Sequence, residues 1–209
     1  MTLPLRRNSK VRRPTAEVGL RRHLRVGLLV TLMAITTAVV GAPPAVAVSA
    51  ASAPYCGLTW GSQAKSSSPL TGQQLRAVRA GRHDCFDRLV LDIGGPGGGR
   101  VGYTVSYVAA VRAEGSGAVV PVRGGARLQI SIHAPAHDTN GVATYRPTNP
   151  RELVNPSGFV TFRQVAWAGT FEGYTTIGLG VRARLPFRVF VLPGPGTGQR
   201  LVIDVAHRW

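Results

Sequence analysis

The sequence is poor in cysteine, in acid and in lysine. Two cysteines in 209 residues exclude a disulfide-knot scaffold and a four-cysteine zinc site. Nine acidic residues leave few carboxylate pairs for general acid–base chemistry. No apolar run reaches the roughly 20 residues that a membrane-spanning helix needs. There is no strict glycine period and no heptad run, so collagen and coiled-coil readings fail. No Gly-x-Ser-x-Gly elbow is present. After residue 50 no long amphipathic helical pattern appears, which excludes a helical bundle.

The chain does hold 25 basic residues, 26 glycines, 15 prolines and a 44% hydrophobic fraction. That apolar content is ample for one packed core, and the length suits one domain. The net charge of +16 is uneven. Residues 1–47 carry eight basic groups against Glu17 alone, for +7, and the rest carries +9. The basic tail runs into the apolar segment Val26–Val40, and Ala45-Val46-Ala47 follows as a small-residue exit. Basic region, short apolar region and A-x-A site together predict a secretory signal peptide over residues 1–47. An uncleaved membrane anchor is the alternative, and the arginine pairs leave the general and twin-arginine export routes both open.

Export places the protein outside the cytoplasm, where Cys56 and Cys85 are expected to join. Such a bridge tethers an Ala/Ser-rich spacer and entry segment, residues 48–74, to a domain over residues 75–209. In that domain apolar and polar residues alternate in short bursts. Leu89, Leu91 and Ile93 alternate with Arg88, Val90 and Asp92; Tyr103, Val105 and Tyr107 with Thr104 and Ser106; Leu128, Ile130 and Ile132 with Gln129 and Ser131. Further strands are expected over Val160–Ala168, Tyr174–Arg184, Phe187–Leu192 and Arg200–Ala206. The fold class is therefore all-β, an antiparallel sandwich of seven or eight strands. A single helical turn is conceivable at Asn149–Val154. The glycine run Gly94–Gly99 reads as a mobile loop, and Pro193–Gly198 as the joint of the last two strands.

One hexapeptide recurs. Arg88-Leu-Val-Leu-Asp-Ile93 returns as Arg200-Leu-Val-Ile-Asp-Val205. The pleat puts Arg, Val and Asp on one face of each copy and the aliphatics on the other. If the two strands pair antiparallel in one register, Arg88 opposes Asp204 and Asp92 opposes Arg200.

From Cys56 to Trp209 the sequence resembles the AMIN-like domain of secreted actinobacterial proteins. That group is distantly similar to the AMIN domain of cell-wall amidases and pilus secretins. The resemblance is carried by Phe86-Asp-Arg-Leu-Val-Leu-Asp-Ile93, Arg163-Gln-Val-Ala-Trp-Ala-Gly-Thr-Phe-Glu-Gly173, Gly180-Val-Arg-Ala-Arg-Leu-Pro-Phe-Arg-Val-Phe190 and Arg200-Leu-Val-Ile-Asp-Val-Ala-His207. It implies a non-catalytic sandwich of the cell envelope that binds peptidoglycan or an associated anionic wall polymer. No catalytic segment follows the domain in this sequence, so binding by the domain itself is the expected role.

The chemistry-bearing residues agree with that expectation. His133 and His137 lie four apart, but Pro135 between them argues for a loop rather than a helical metal pair. Asp92 and Asp204 sit beside arginines, which predicts ion pairing. Glu172 lies in a turn near Trp167, Phe171 and Tyr174, where solvation is the simpler reading. No catalytic residue, metal or cofactor is expected. Arg163, Trp167, Arg182 and Arg184 are the candidate ligand-binding residues, because guanidinium forks suit carboxylates and phosphates and an indole stacks on sugars. The expected partner is a cell-wall polysaccharide, with an envelope protein docked on a sheet edge as the alternative. Nucleic acid is not expected for an exported chain, and membrane contact only through an uncleaved signal segment.

Overall fold

Leu89, Leu91 and Ile93 are no more than 2% exposed, while Arg88, Val90 and Asp92 between them are half-buried. That two-residue period recurs through the computed structural model, which describes residues 53–209. The expected signal peptide and its cleavage site lie outside the described residues. One sheet runs in the order β1 (Lys65–Ser67), β4 (Tyr103–Tyr107), β7 (Ala126–Ile132), β9 (Tyr174–Val181), β8 (Phe162–Phe171). The second runs β10 (Phe187–Pro193), β11 (Gln199–Ala206), β3 (Phe86–Gly94), β2 (Gln74–Arg82). A small hairpin pairs β5 (Val111–Arg112) with β6 (Val119–Val120). All pairings are antiparallel, and the described residues hold no α-helix, only a three-residue 3-10 turn at Tyr55–Gly57.

The expected antiparallel sandwich thus forms, with eleven strands rather than seven or eight. The additions are short strands and β2. β2 escapes a sequence reading because a bulge at Arg76 breaks its alternation. Asn149–Glu152 forms one β-turn instead of a helix: Asn149 accepts the amide of Glu152 on its carbonyl and that of Arg151 on its side chain.

The core lies between the sheets and gathers Leu89, Leu91, Leu128, Ile130, Ile177, Leu179, Phe162, Phe187, Leu201 and Ile203. Tyr107 closes one edge of it: its hydroxyl donates to the Leu185 carbonyl and accepts the Leu185 amide, at 2.8 and 2.9 Å. Burial pushes that hydroxyl above its usual pKa, which keeps it protonated as a donor.

β3 and β11 pair in the anticipated register, with Arg88 opposite Asp204 and Asp92 opposite Arg200. Arg88 grips the fully buried Asp204 through both carboxylate oxygens, and Arg188 of β10 adds a third bond. The hydrogen bond to Asp204 raises Arg88 above its ordinary value. The second pair does not form: Asp92 is held bidentately by Arg79, and Arg200 turns to the Pro193 carbonyl.

The glycine run is not the slack loop its composition suggested. Gly72 donates to the Gly98 carbonyl, and buried Gln199 donates to Gly99. A Cβ on Gly97 would come within 2.8 Å of the Gly72 backbone. The glycines permit close backbone packing here.

Cys56 and Cys85 form the expected disulfide. It holds the entry segment beside β3, where Trp60 packs edge-on against Phe86. At the other end of the chain, fully buried Asp87 accepts the Thr161 and Phe162 amides and contacts His207 at 3.0 Å.

Candidate ligand-binding cleft

Glycines in β9 decide what happens on the outer face of the five-stranded sheet. Ile177, Leu179 and Val181 point into the core, so Gly178 and Gly180 face outward. A Cβ on Gly178 would press on Val122 and Val111, and one on Gly180 would overlap the Arg123 carbonyl. Without side chains there, the hairpin β5–β6 and the segment Val122–Arg123 lie flat on the sheet. Val111, Val122, Ala166 and Ala168 form a second, smaller apolar cluster beneath them.

This strap forms one wall of a concavity of about 840 Å³. The Asn149–Glu152 turn forms the other wall, and Gln164, Ala166 and Trp167 of β8 form the floor. Gln164, 4% exposed, ties the walls together. Its side-chain oxygen accepts the Arg123 amide at 2.6 Å, and its nitrogen donates to the Arg151 carbonyl at 2.8 Å. The turn also covers the edge of β8, since Leu153 donates to Val165 and Trp167 to Pro150.

The cleft is basic. Arg123, Arg127 and Arg151 line it against Glu152 alone, an excess of two positive charges. Arg123 pairs with Glu152 at 2.5 Å and donates to the Arg163 carbonyl. Arg127 donates its Nε to the Val122 carbonyl, and among the described residues both terminal nitrogens of its fork are left for other acceptors. Arg151 is exposed and has no ion-pair partner among the described residues.

The four residues anticipated from sequence do not share one face. Trp167 borders the cleft floor, but it pairs with Ile177 on the core face of the sheet; it is half-buried and packs on the main core with Tyr145, ring centres 5.6 Å apart. Arg163 sits at a bulge of β8 with its guanidinium on the Val160 and Phe162 carbonyls. Arg182 follows β9, beside the start of β8, and reaches the His207 carbonyl. Arg184 is drawn away to Ser62 and lies over the Tyr107 ring. Trp167 is four register steps along β9 from Val181, roughly 13 Å of strand. Arg123, Arg127, Arg151, Glu152 and Gln164 were not singled out from sequence. Their one signal is the Asn149-Pro150 turn beside a basic residue.

Other sequence candidates lie elsewhere. Glu172 is exposed at the tip of the β8–β9 hairpin, where Glu172 and Gly173 both have positive φ, as a type I′ turn requires. His137 contacts the Asp138 carbonyl. Among the described residues no group of three or more His, Cys, Asp or Glu converges to hold a metal ion, and no helix is long and apolar enough to cross a membrane.

The model of the AMIN-like domain matches residues 73–207, which takes in β2 through β11 and both cleft walls. The chain belongs to the AMIN-like domain family. No curated protein and no solved structure shows significant similarity to it. The match begins at Gln73 and ends at His207. Both are buried: Gln73 donates to the carbonyl of Thr197, and His207 contacts Asp87. The limits of the AMIN-like domain thus coincide with residues that close its core. The entry segment with Trp60, Cys56 and β1 lies outside the match.

Proposed function

We propose that this AMIN-like domain is an exported, non-catalytic binding module of the cell envelope that takes an anionic wall polymer in the β8 cleft. One observation carries the reading: three arginines against one glutamate line a concavity with two tied walls. Guanidinium forks pair with peptide carboxylates or glycan phosphates. Arg163 and Arg182 border the same end of the sheet and extend its positive field. Peptidoglycan and its attached anionic polymers offer these groups. A second reading is favoured by β10, which beyond Phe187 (its amide is taken by the Gly61 carbonyl) pairs with β11 on one side only and so offers an edge for a strand from an envelope protein.

The test is retention of the full chain on purified peptidoglycan, with and without attached anionic polymer, across a salt series. Arg127→Gln and Arg151→Gln keep polar side chains and remove charge. The expected result is retention that falls with salt and is lost in the double variant. Absence of retention at near-physiological salt, or equal retention of the variant, would end the cleft reading. Saturable binding to envelope proteins after the polymer is stripped away would favour the β10 edge.

A further inference from the structure

The unmatched half of the β3–β11 symmetry leaves charge at the far end of the four-stranded sheet. Arg88 and Asp204 close on each other, but the equivalent Arg200 and Asp92 do not. Arg79 takes both oxygens of Asp92. Arg200 hydrogen-bonds the Pro193 carbonyl through Nε and Nη2. Arg76, displaced by the β2 bulge, hydrogen-bonds the Gly94 carbonyl through Nε and the Gln74 side chain through Nη2. Neither Arg200 nor Arg76 has an acid partner among the described residues.

All three arginines and Asp92 line one cavity of about 570 Å³. The rest of its lining is Ile93, Gln199 and the loops Gly94–Gly95 and Pro195–Gly198, where glycine leaves little side chain to hold a ligand away. These loops are held in place. Gln73 donates to the Thr197 carbonyl at 2.7 Å, and Gln199 joins Gln73 to Gly99 at 2.9 and 2.7 Å. The cavity therefore presents an excess of two positive charges on a fixed frame. The Nη1 groups of Arg76 and Arg200 have no protein acceptor among the described residues.

We infer that this cavity is a second binding site, one that takes the phosphate ester of a sugar or polyol between Arg76 and Arg200. Two guanidinium forks supply charge-assisted donors to a tetrahedral oxyanion, and Asp92, satisfied by Arg79, does not compete for them. The arginine forks suit the phosphate, and the glycine-rich rim leaves room for the sugar or polyol beside it. The site lies on the four-stranded sheet and does not rest on the cleft reading.

The experiment titrates the full chain with glycerol 3-phosphate, with a soluble polyol-phosphate chain, with citrate and with phosphatidylglycerol vesicles, followed by calorimetry. Arg76→Gln, Arg200→Gln and, as a control outside the cavity, Arg146→Ala are run in parallel, with circular dichroism to verify folding. Saturable binding of both soluble phosphates is expected, weakened about tenfold by either glutamine variant and unchanged in the control. If Arg200→Gln opens the β10–β11 hairpin, Arg76→Gln carries the test, because its side chain sits on a bulge and is exposed. Equal binding by wild type and Arg76→Gln, or citrate binding as tight as the phosphates, would overturn the site. Vesicle capture without binding of the soluble phosphates would overturn its hydrophilic ligand. Failure of the wall pull-down alone would leave it standing.

Discussion

Gln164 shows how one side chain builds a site from loops that have little structure of their own. It is buried in β8 and satisfies the amide of Arg123 and the carbonyl of Arg151, residues 41 and 13 positions away in the chain. Replacement by alanine strands both backbone groups and loosens both walls. An unsatisfied buried polar group costs on the order of 1–3 kcal/mol. Both groups belong to exposed residues that water can reach, so Gln164→Ala is expected to lower stability by about 1 kcal/mol in urea unfolding and to weaken wall retention more than Arg127→Gln alone. A fully retained, equally stable variant would show that the walls stand without the tie. The sequence offered no way to see this residue: a glutamine in an alternating strand reads as solvent-facing, and its two partners come from separate loops. Trp167 was visible because it is the one indole in a strand rich in small residues. Its half-burial against Tyr145 was not, since strand alternation alone does not say which face is core.

At the scale of elements, β9 governs the outer surface. Its run Ile177-Gly-Leu-Gly-Val181 puts aliphatics inside and bare backbone outside. Gly180→Ala would set a methyl group against the Arg123 carbonyl. Overpacking of this kind costs roughly 1–3 kcal/mol. Loss of stability in that range is expected, together with faster hydrogen exchange of the amides at Val122–Arg123, measured by mass spectrometry. Unchanged exchange would mean that the strap does not depend on the flat surface. The strands themselves were legible wherever alternation was clean, as in β3, β7 and β11. They were lost where a bulge broke the period, as in β2, or where pairing was only two or three residues long, as in β1, β5 and β6. The glycine run misled for a related reason: glycine serves both slack loops and close backbone contacts, and only the presence of Gly72 against Gly97 distinguishes them.

At the scale of the molecule, the disulfide ties the entry segment to the sandwich, and a buried carboxylate ties three of its strands together. The bridge between Cys56 and Cys85 spans 29 positions. In the chain-entropy model a loop of that length contributes about 3–4 kcal/mol. Reduction, or Cys56→Ser with Cys85→Ser, should lower the denaturation midpoint accordingly and release Trp60 from Phe86, which tryptophan fluorescence would register. An unchanged midpoint would mean that the entry segment is held by its other contacts, such as the Gly61 carbonyl on the Phe187 amide. The buried Asp204 is a different kind of tie. It is stabilising only while Arg88 and Arg188 surround it, because a carboxylate without partners in that position would bear its full desolvation cost.

The sequence by itself determined the all-β class, the pairing of its only two cysteines and the register of β3 on β11. Each follows from a local and repeated rule: alternation sets the buried face, two thiols allow one bridge, and two copies of one hexapeptide align their charges when antiparallel. The tertiary structure decided where the charges that remain come together. The cleft arginines lie on the strap and the turn, and the second cavity draws on β2, β11 and two glycine loops. No local pattern joins these segments; they meet because the glycines of β9 admit the strap and because Arg79 reaches Asp92 before Arg200 does. Closely packed backbone and competition among arginines for few acids are properties of the folded neighbourhood, which strand periodicity does not encode.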